Sequence, residues 1–162
     1  MNNFLRRTLI VVLVGGGFHG ICSYWSSIVN PLNHNLFSAL LLGLCLLIYT
    51  YHIYAGMALV DNEEKTTPAL LALLLQVPII SSPVLFYKVS TGFAASAYFE
   101  SQRLTGYWNI GSEYQVHLLP SFNFGIGINI FALILVILLL KARKGFKSTQ
   151  GQAKELRAEP IA

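Results

Sequence analysis

Residues 36–60 read LFSALLLGLCLLIYTYHIYAGMALV, a continuous apolar block that contains no charged side chain. At 1.5 Å per residue, a helix of this length can cross the roughly 30 Å of hydrocarbon in a lipid bilayer. Backbone polar groups have no water to bond with at that depth, so a block that crosses a bilayer is expected to be helical. The stretch therefore predicts a membrane-spanning helix.

Three further apolar blocks lie on either side of this stretch, at about 8–28, 68–87 and 120–140. The chain of 162 residues is 54% hydrophobic and only 11% charged, whereas soluble domains carry about 25% charged residues. Both observations predict an all-α integral membrane protein, a four-transmembrane-helix bundle formed by residues 1–141.

The first block follows Arg6 and Arg7, and a basic start before an apolar run is also typical of a signal peptide. The run continues through the triple glycine 15–17 into further apolar and aromatic residues, and it contains no A-x-A cleavage site. These features favour an uncleaved first span over a signal peptide.

Basic residues give an orientation. Nine of the eleven Lys and Arg residues lie on one side if the N-terminus is cytoplasmic, and only Lys88 and Arg103 lie outside. Because basic residues are enriched in cytoplasmic loops, this split predicts an N-in/C-in arrangement. We expect a multi-pass protein of the cytoplasmic (inner) membrane of a bacterium.

The segment 142–162 mixes charged and small residues without an apolar face, which predicts a disordered basic cytoplasmic tail. Phospholipid headgroups are the expected contacts of the basic residues around the end of the last span, namely Lys141, Arg143, Lys144 and Lys147.

The outer segment 88–119, between the third and fourth spans, is rich in aromatic residues. Alternating apolar and polar residues over 114–118 predict a strand, and Gly106 and Gly111 are placed to bracket a turn. A short β-hairpin-like segment is therefore expected, resting on the membrane or on a partner because an isolated hairpin is marginal in water. Its aromatic side chains form the predicted partner-binding set: Tyr98, Phe99, Tyr107, Trp108 and Tyr114.

Four polar side chains stand out inside the predicted spans: His19, His52, Gln76 and Asn129. No Asp, Glu, Lys or Arg lies deep in any span, although pumps and ion-coupled transporters usually hold charged residues there. Interhelical hydrogen bonds that set the register of the bundle are the favoured role. The functional alternatives are a haem held by the two histidines, a quinone pocket and a polar transport path.

Small residues at helical spacing mark faces where helices can pack closely. Gly16 and Gly20 form a GxxxG pair in the first span, and Gly125 belongs to a similar stripe in the fourth. Packing within the chain is favoured over dimerisation because the second span is tethered nearby. Pro78 and Pro83 predict a bend in the third span.

The sequence contains no motif of a catalytic site, a zinc site or a nucleic-acid-binding surface. We therefore predict no catalytic residue, no metal, no cofactor and no nucleic-acid partner. The leading hypothesis is a non-catalytic accessory subunit, or a binding or protective factor, that recognises a partner through the outer aromatic segment and a helix face.

The expected partners are membrane lipids, together with another membrane or extracytoplasmic protein or a second copy of the chain. A small transporter or channel with a polar path through the bundle is the first alternative function. A redox or lipid-modifying membrane enzyme that uses His19 and His52 is the second alternative.

Overall fold

The computed structural model describes residues 1–30, 35–120 and 123–158, with side chains as far as Gly145. The chain is an α+β protein, 57% helical, with a six-stranded antiparallel sheet. A group of helices comes first, the sheet follows, and the last helix returns to pack against the first group.

Six α-helices lie in the described residues. Helix α1 (Asn3–Ile10), a π-helical turn (Val11–Gly15) and helix α2 (Gly16–Ser23) form one continuous rod, followed by the short helix α3 (Trp25–Val29). The remaining helices are the long helix α4 (Leu36–Asp61), the short helix α5 (Thr66–Gln76) and the last helix α6 (Ile130–Ala158).

An apolar core joins α1, α4, α5 and α6, to which Leu9, Leu59, Leu73 and Leu139 contribute buried side chains. Arg6 fastens the start of the chain to the end of α4. Its guanidinium donates from Nε to the carbonyl of Leu59 at 3.0 Å and from Nη2 to that of Val60 at 2.8 Å. These carbonyls belong to the last turn of α4, where a helix leaves its acceptors unpaired.

The sheet contains strands β1 (Pro78–Ser81), β2 (Leu85–Ser90), β3 (Phe93–Glu100), β4 (Arg103–Ile110), β5 (Glu113–Leu118) and β6 (Gly125–Asn129). Their order across the sheet is β4-β3-β6-β1-β2-β5, and all pairs are antiparallel. Strands β4 and β5 therefore form the two edges, although only Gly111 and Ser112 separate them along the chain.

The third and fourth predicted spans are not continuous helices. Helix α5 ends at Gln76 because Pro78 lacks a backbone N–H and its ring clashes with the preceding turn. The β-branched residues that follow continue as strand β1, in which Pro78 takes the first position. In the fourth block, Gly125 and Gly127 lower the helix propensity, and the residues up to Asn129 form β6. The predicted all-α fold is wrong.

Within the part of the chain that the structure describes, two helices are long and apolar enough to cross a bilayer, Asn3–Ser23 and Leu36–Asp61. The predicted four-transmembrane-helix bundle is therefore wrong, and the multi-pass description is wrong with it. The N-in/C-in arrangement was derived from those four spans and loses that basis. A location in a bacterial cytoplasmic membrane stays a prediction.

The outer segment contains more β structure than the expected two-stranded hairpin. Strand β5 covers the predicted strand 114–118, but it pairs with β2 and not with the preceding strand. The tight hairpin turn lies at Ser101–Gln102, whose φ angles of 48° and 66° match two-residue hairpin turns. Gly106 lies inside β4, and Gly111, with φ of 119°, connects β4 to β5.

The predicted disordered tail, 142–162, overlaps helix α6, which continues to Ala158. Residues 159–162 lie outside the described part of the chain.

Candidate binding site

The two faces of the sheet differ sharply in polarity. Successive side chains of a strand point to opposite faces, so the register decides which residues lie together. Ser96 of β3 lies between Tyr107 of β4 and Asn129 of β6, and Ser90 of β2 lies opposite Glu113 of β5. These polar side chains occupy one face. The alternate positions of the same strands are apolar.

The polar face is concave because the sheet curls. In a flat sheet, β2 and β4 would be roughly 19 Å apart, since four strand spacings of about 4.8 Å separate them. Instead, Lys88 Nζ of β2 lies 3.8 Å from the centroid of the Tyr107 ring of β4. The hydroxyl of Tyr107 also donates to Glu113 Oε2 of β5, the opposite edge strand, at 3.4 Å.

A cavity of about 290 Å³ lies in this concave face. Its polar lining consists of Lys88, Ser96, Tyr98, Thr105 and Tyr107, and its apolar lining includes Ile79 and Phe86. A few convergent polar groups in a partly apolar concavity are typical of small-molecule sites. The volume is close to the lower limit of about 300 Å³ for such sites.

The charges of the cavity wall form a neutral pair. Lys88 Nζ lies 2.9 Å from Glu113 Oε2, and only 14% and 15% of the two side chains are exposed. Gln115 Nε2 donates a further hydrogen bond to Glu113 Oε1 at 2.6 Å. Burial, and then the nearby Glu113 carboxylate, raise the pKa of Tyr107 above its ordinary value. The Tyr107 hydroxyl therefore stays protonated at neutral pH and acts as a donor.

Three buried polar atoms on the concave face have no hydrogen-bond partner among the described residues: Ser90 Oγ, Ser96 Oγ and Asn129 Nδ2. Only one of the two polar atoms of the Asn129 amide has a partner: Oδ1 accepts a hydrogen bond from the backbone N–H of Ala132 at 3.3 Å. An unpaired buried polar group costs about 1–3 kcal/mol, so each such atom in a folded protein calls for an explanation. Ser96 also lines the cavity, which makes it a natural contact for a ligand.

The five predicted partner-binding residues do not form one surface. Tyr98 and Tyr107 line the cavity, whereas Phe99 and Trp108 lie exposed on the opposite face. Tyr114 is buried against α4, where its hydroxyl donates to the carbonyl of Leu41 at 3.3 Å. Alternation along the strands separates residues that are close in sequence.

The four polar residues predicted at membrane depth fall into separate groups. His52 Nε2 and Gln76 Nε2 both contact the carbonyl of Ala72, at 3.0 and 3.4 Å, and Gln76 Oε1 accepts from the backbone N–H of Thr91 at 2.9 Å. Asn129 lies in the sheet. His19 is exposed on α2, and its Nδ1 accepts from the backbone N–H of Ser112 at 3.1 Å.

These contacts bear on the haem alternative. His52 Nδ1 also contacts the carbonyl of Ile48, at 2.7 Å, so both ring nitrogens of His52 already face backbone acceptors. His52 therefore offers no free nitrogen to an iron atom. His19 and His52 belong to different hydrogen-bonded groups and do not form a common site.

The three predicted packing glycines make contacts within the chain. Gly16 packs on the backbone of the turn at Thr91 and Gly92, and Gly20 lies against the ring of Tyr49 in α4. Gly125 lies beneath the ring of Tyr98 in the cavity wall.

The predicted lipid-headgroup residues Lys141, Arg143, Lys144 and Lys147 all lie in α6, after its apolar first half. Lys141 and Lys144 are exposed and Arg143 is half-buried, while the side chain of Lys147 is outside the described residues.

Sequence reasoning missed Lys88, Ser90, Ser96 and Glu113. A signal for two of them is present, because 85–90 alternates Leu, Tyr and Val with Phe, Lys and Ser, as expected of a strand with one polar face. Ser96 and Glu113 reach the site through long-range pairing, which has no local signal.

No protein-family model matches the chain, and neither the curated proteins nor the solved structures include a match to it.

Proposed function

We propose that this protein is a membrane-associated, non-catalytic binding protein and that the cavity in the concave face of the sheet holds its ligand. The observation that carries the proposal is the unpaired, buried hydroxyl of Ser96 in the cavity wall, together with the unpaired Ser90 and Asn129 groups in the same concave face. A ligand that bonds to Ser96 Oγ would remove the cost of burying this hydroxyl unpaired.

Membrane association is proposed from the exposed apolar surface of the helices. In the most apolar window of α4, only 22% of the residues are buried inside the structure. A core helix of a soluble protein would be mostly buried, whereas α4 exposes Leu40, Leu44 and Leu47. Lipid is the medium that accepts such a surface without cost.

The chemistry of the cavity indicates a small, neutral, polar ligand. Lys88 and Glu113 neutralise each other, so an ionic ligand would have to break that pair. The Ser96 hydroxyl can donate and accept, and the other uncharged polar groups of the lining are the hydroxyls of Tyr98, Thr105 and Tyr107. A molecule with several hydroxyl or amide groups matches these requirements.

The test is to identify small molecules that the intact chain retains after purification in mild detergent, by native mass spectrometry. Ser96→Leu places an apolar side chain in the cavity and removes the hydroxyl, so we expect this variant to lose the retained molecule. Ser26→Leu alters an exposed serine of α3 and serves as the matched control. Equal retention by both variants would contradict the proposal.

A second candidate function is recognition of a protein partner, as an accessory subunit, through the edge strand β4. Among the described strands, β4 pairs only with β3, and seven of its eight residues are exposed. A long exposed edge presents unpaired N–H and C=O groups that a strand of another protein can pair with.

This candidate is tested by affinity purification from the native membrane. The pairs Glu100–Arg103 and Tyr98–Thr105 turn their backbone groups toward each other, so the N–H of Leu104 faces the free edge of β4. Leu104→Pro removes this outward donor and is expected to reduce partner recovery, whereas Leu104→Val keeps the donor and serves as the control. Recovery of the same proteins with both variants would exclude the edge strand as the contact.

A further inference from the structure

The convex face of the sheet, opposite the cavity, is apolar and exposed over the half that strands β3, β4 and β6 form. Strands β3, β4 and β6 point every second side chain to this face, and the alternation places there Phe99, Leu104, Trp108, Ile110, Ile126 and Ile128. Between 45% and 74% of each of these side chains is exposed. Along these three strands the remaining convex positions are Phe, Ala or Gly, so no charged, amide or hydroxyl side chain interrupts the patch.

On the other half of the convex face, a helix packs over part of the surface. On β2 and β5 the convex positions are apolar or tyrosine, and helix α4 covers part of them. Val89 and Tyr114 are 1% and 8% exposed and pack with Cys45 and Tyr49 of α4. Both parts of the face are largely apolar, but no element of the described part of the chain covers the six exposed side chains of β3, β4 and β6.

The apolar surface continues from the sheet along α6. Strand β6 leads directly into this helix, and the exposed residues Ile126 and Ile128 are followed by the exposed Ile130, Ile134 and Ile137. Phe93 of β3 packs edge-to-face on Phe131 of α6, with ring centroids 4.8 Å apart, which joins the two elements. Monomeric soluble proteins rarely expose an apolar patch of this extent.

We propose that phospholipid acyl chains cover the convex face of β3, β4 and β6, so that the sheet lies against the hydrocarbon of the bilayer and not in water above it. This inference rests on the proposed membrane association. Apolar side chains outside and polar side chains inside are the arrangement expected of a sheet in contact with lipid. The patch also continues into the exposed apolar residues of α6, so one apolar medium would cover the sheet and the helix together.

Two tryptophans, Trp25 and Trp108, make a direct test possible. Trp25→Phe leaves Trp108 as the only fluorescent tryptophan. The full chain is reconstituted in phosphatidylcholine nanodiscs with and without phosphatidylcholine that carries a doxyl quencher at carbon 5 of an acyl chain. We expect Trp108 emission to lose most of its intensity with the doxyl lipid and to respond only weakly to acrylamide in the water phase.

The matched control moves the probe by one residue to the opposite face. The variant Trp25→Phe/Trp108→Phe/Tyr107→Trp places a single tryptophan beside the cavity, where doxyl quenching should be several-fold weaker. Quenching of Trp108 by acrylamide but not by doxyl lipid would overturn the inference, since water would then cover the face. Protection of Trp108 from both quenchers would also overturn it, in favour of a protein cover.

Trp108→Phe leaves Trp25 on α3 as the single tryptophan and a probe of the helical part. This variant distinguishes a failure of the sheet–lipid contact from a failure of the proposed membrane association. If Trp25 is quenched by the doxyl lipid and Trp108 is not, the helices contact the bilayer and the sheet does not. If the chain fails to enter nanodiscs at all, the membrane association of the proposed function fails first.

Discussion

At Gly16 the N-terminal rod touches the sheet with no space for a side chain. A Cβ atom at this position would lie 2.8 Å from the carbonyl carbon of Thr91, which is backbone and cannot move alone. Ser112 strengthens the same junction, because its hydroxyl donates to the carbonyl of Gly16 and its backbone N–H donates to His19. One residue without a side chain therefore determines how the helices and the sheet meet.

Gly16→Ala is accordingly expected to destabilise the folded state by about 1–3 kcal/mol, since the clash is with backbone and resembles overpacking of a core. Gly43→Ala is the matched control: nothing lies within 4 Å of a Cβ there, so the helix of α4 should gain up to about 1 kcal/mol. Thermal unfolding in the same detergent compares the two. Equal midpoints would show that the junction tolerates a displacement of the sheet.

At the scale of the element, strands β3 and β4 are joined by a turn whose residues do not favour the backbone conformation that they adopt there. Ser101 and Gln102 both adopt positive φ, at 48° and 66°, a combination for which Asn-Gly is the preferred sequence. The cross-strand pair Glu100 and Arg103 flanks the turn directly. The hairpin is therefore held in register by its pairing and by β6, not by the chemistry of its turn.

Ser101→Asn/Gln102→Gly should therefore stabilise the protein by about 0.5–1 kcal/mol, because these residues adopt positive φ at lower cost. The unfolding midpoint should rise, and ligand retention should not change because the turn lies outside the cavity lining. A lower midpoint would indicate that the Ser101 and Gln102 side chains make contacts that outweigh the backbone preference.

Element prediction from sequence succeeded where length alone is decisive. The block 36–60 is too long for a strand and is helix α4. The blocks 68–87 and 120–140 contain both helix and strand, because a short apolar run satisfies either structure and Pro78 and the glycines of β6 decide between them. Site residues such as Ser96 could not be predicted, since their neighbours come from distant strands.

At the scale of the whole molecule, the outer surface is apolar over α4, the first half of α6 and the convex face of β3, β4 and β6, while the sheet gathers polar groups in its concave face. This distribution is the reverse of that in a soluble protein and is the basis of the proposed membrane association. Arg6 and the salt bridge from the N-terminal amine to Glu63, at 3.6 Å, place charges together near the C-terminal end of α4.

Leu47→Arg tests whether helix α4 faces lipid. Leu47 is 66% exposed near the middle of α4, where an arginine would cost about 2.5–3.5 kcal/mol if the helix lies in lipid and almost nothing if it lies in water. We expect vesicle flotation to show reduced membrane recovery of this variant. Asn30→Arg, at an exposed position outside the helices, should float like the parent chain. Full recovery of Leu47→Arg in the membrane would contradict a lipid-facing α4.

The sequence by itself determined that the chain is apolar beyond the range of ordinary soluble domains and that residues 36–60 form a long helix, because composition and block length depend on no distant contact. Only the tertiary structure decided which strands the later apolar blocks pair with, that the sheet curls, and that Lys88, Tyr107 and Glu113 meet. These features depend on pairing between strands far apart in the chain. The free energy of such pairing is set by partners that no local stretch of sequence identifies.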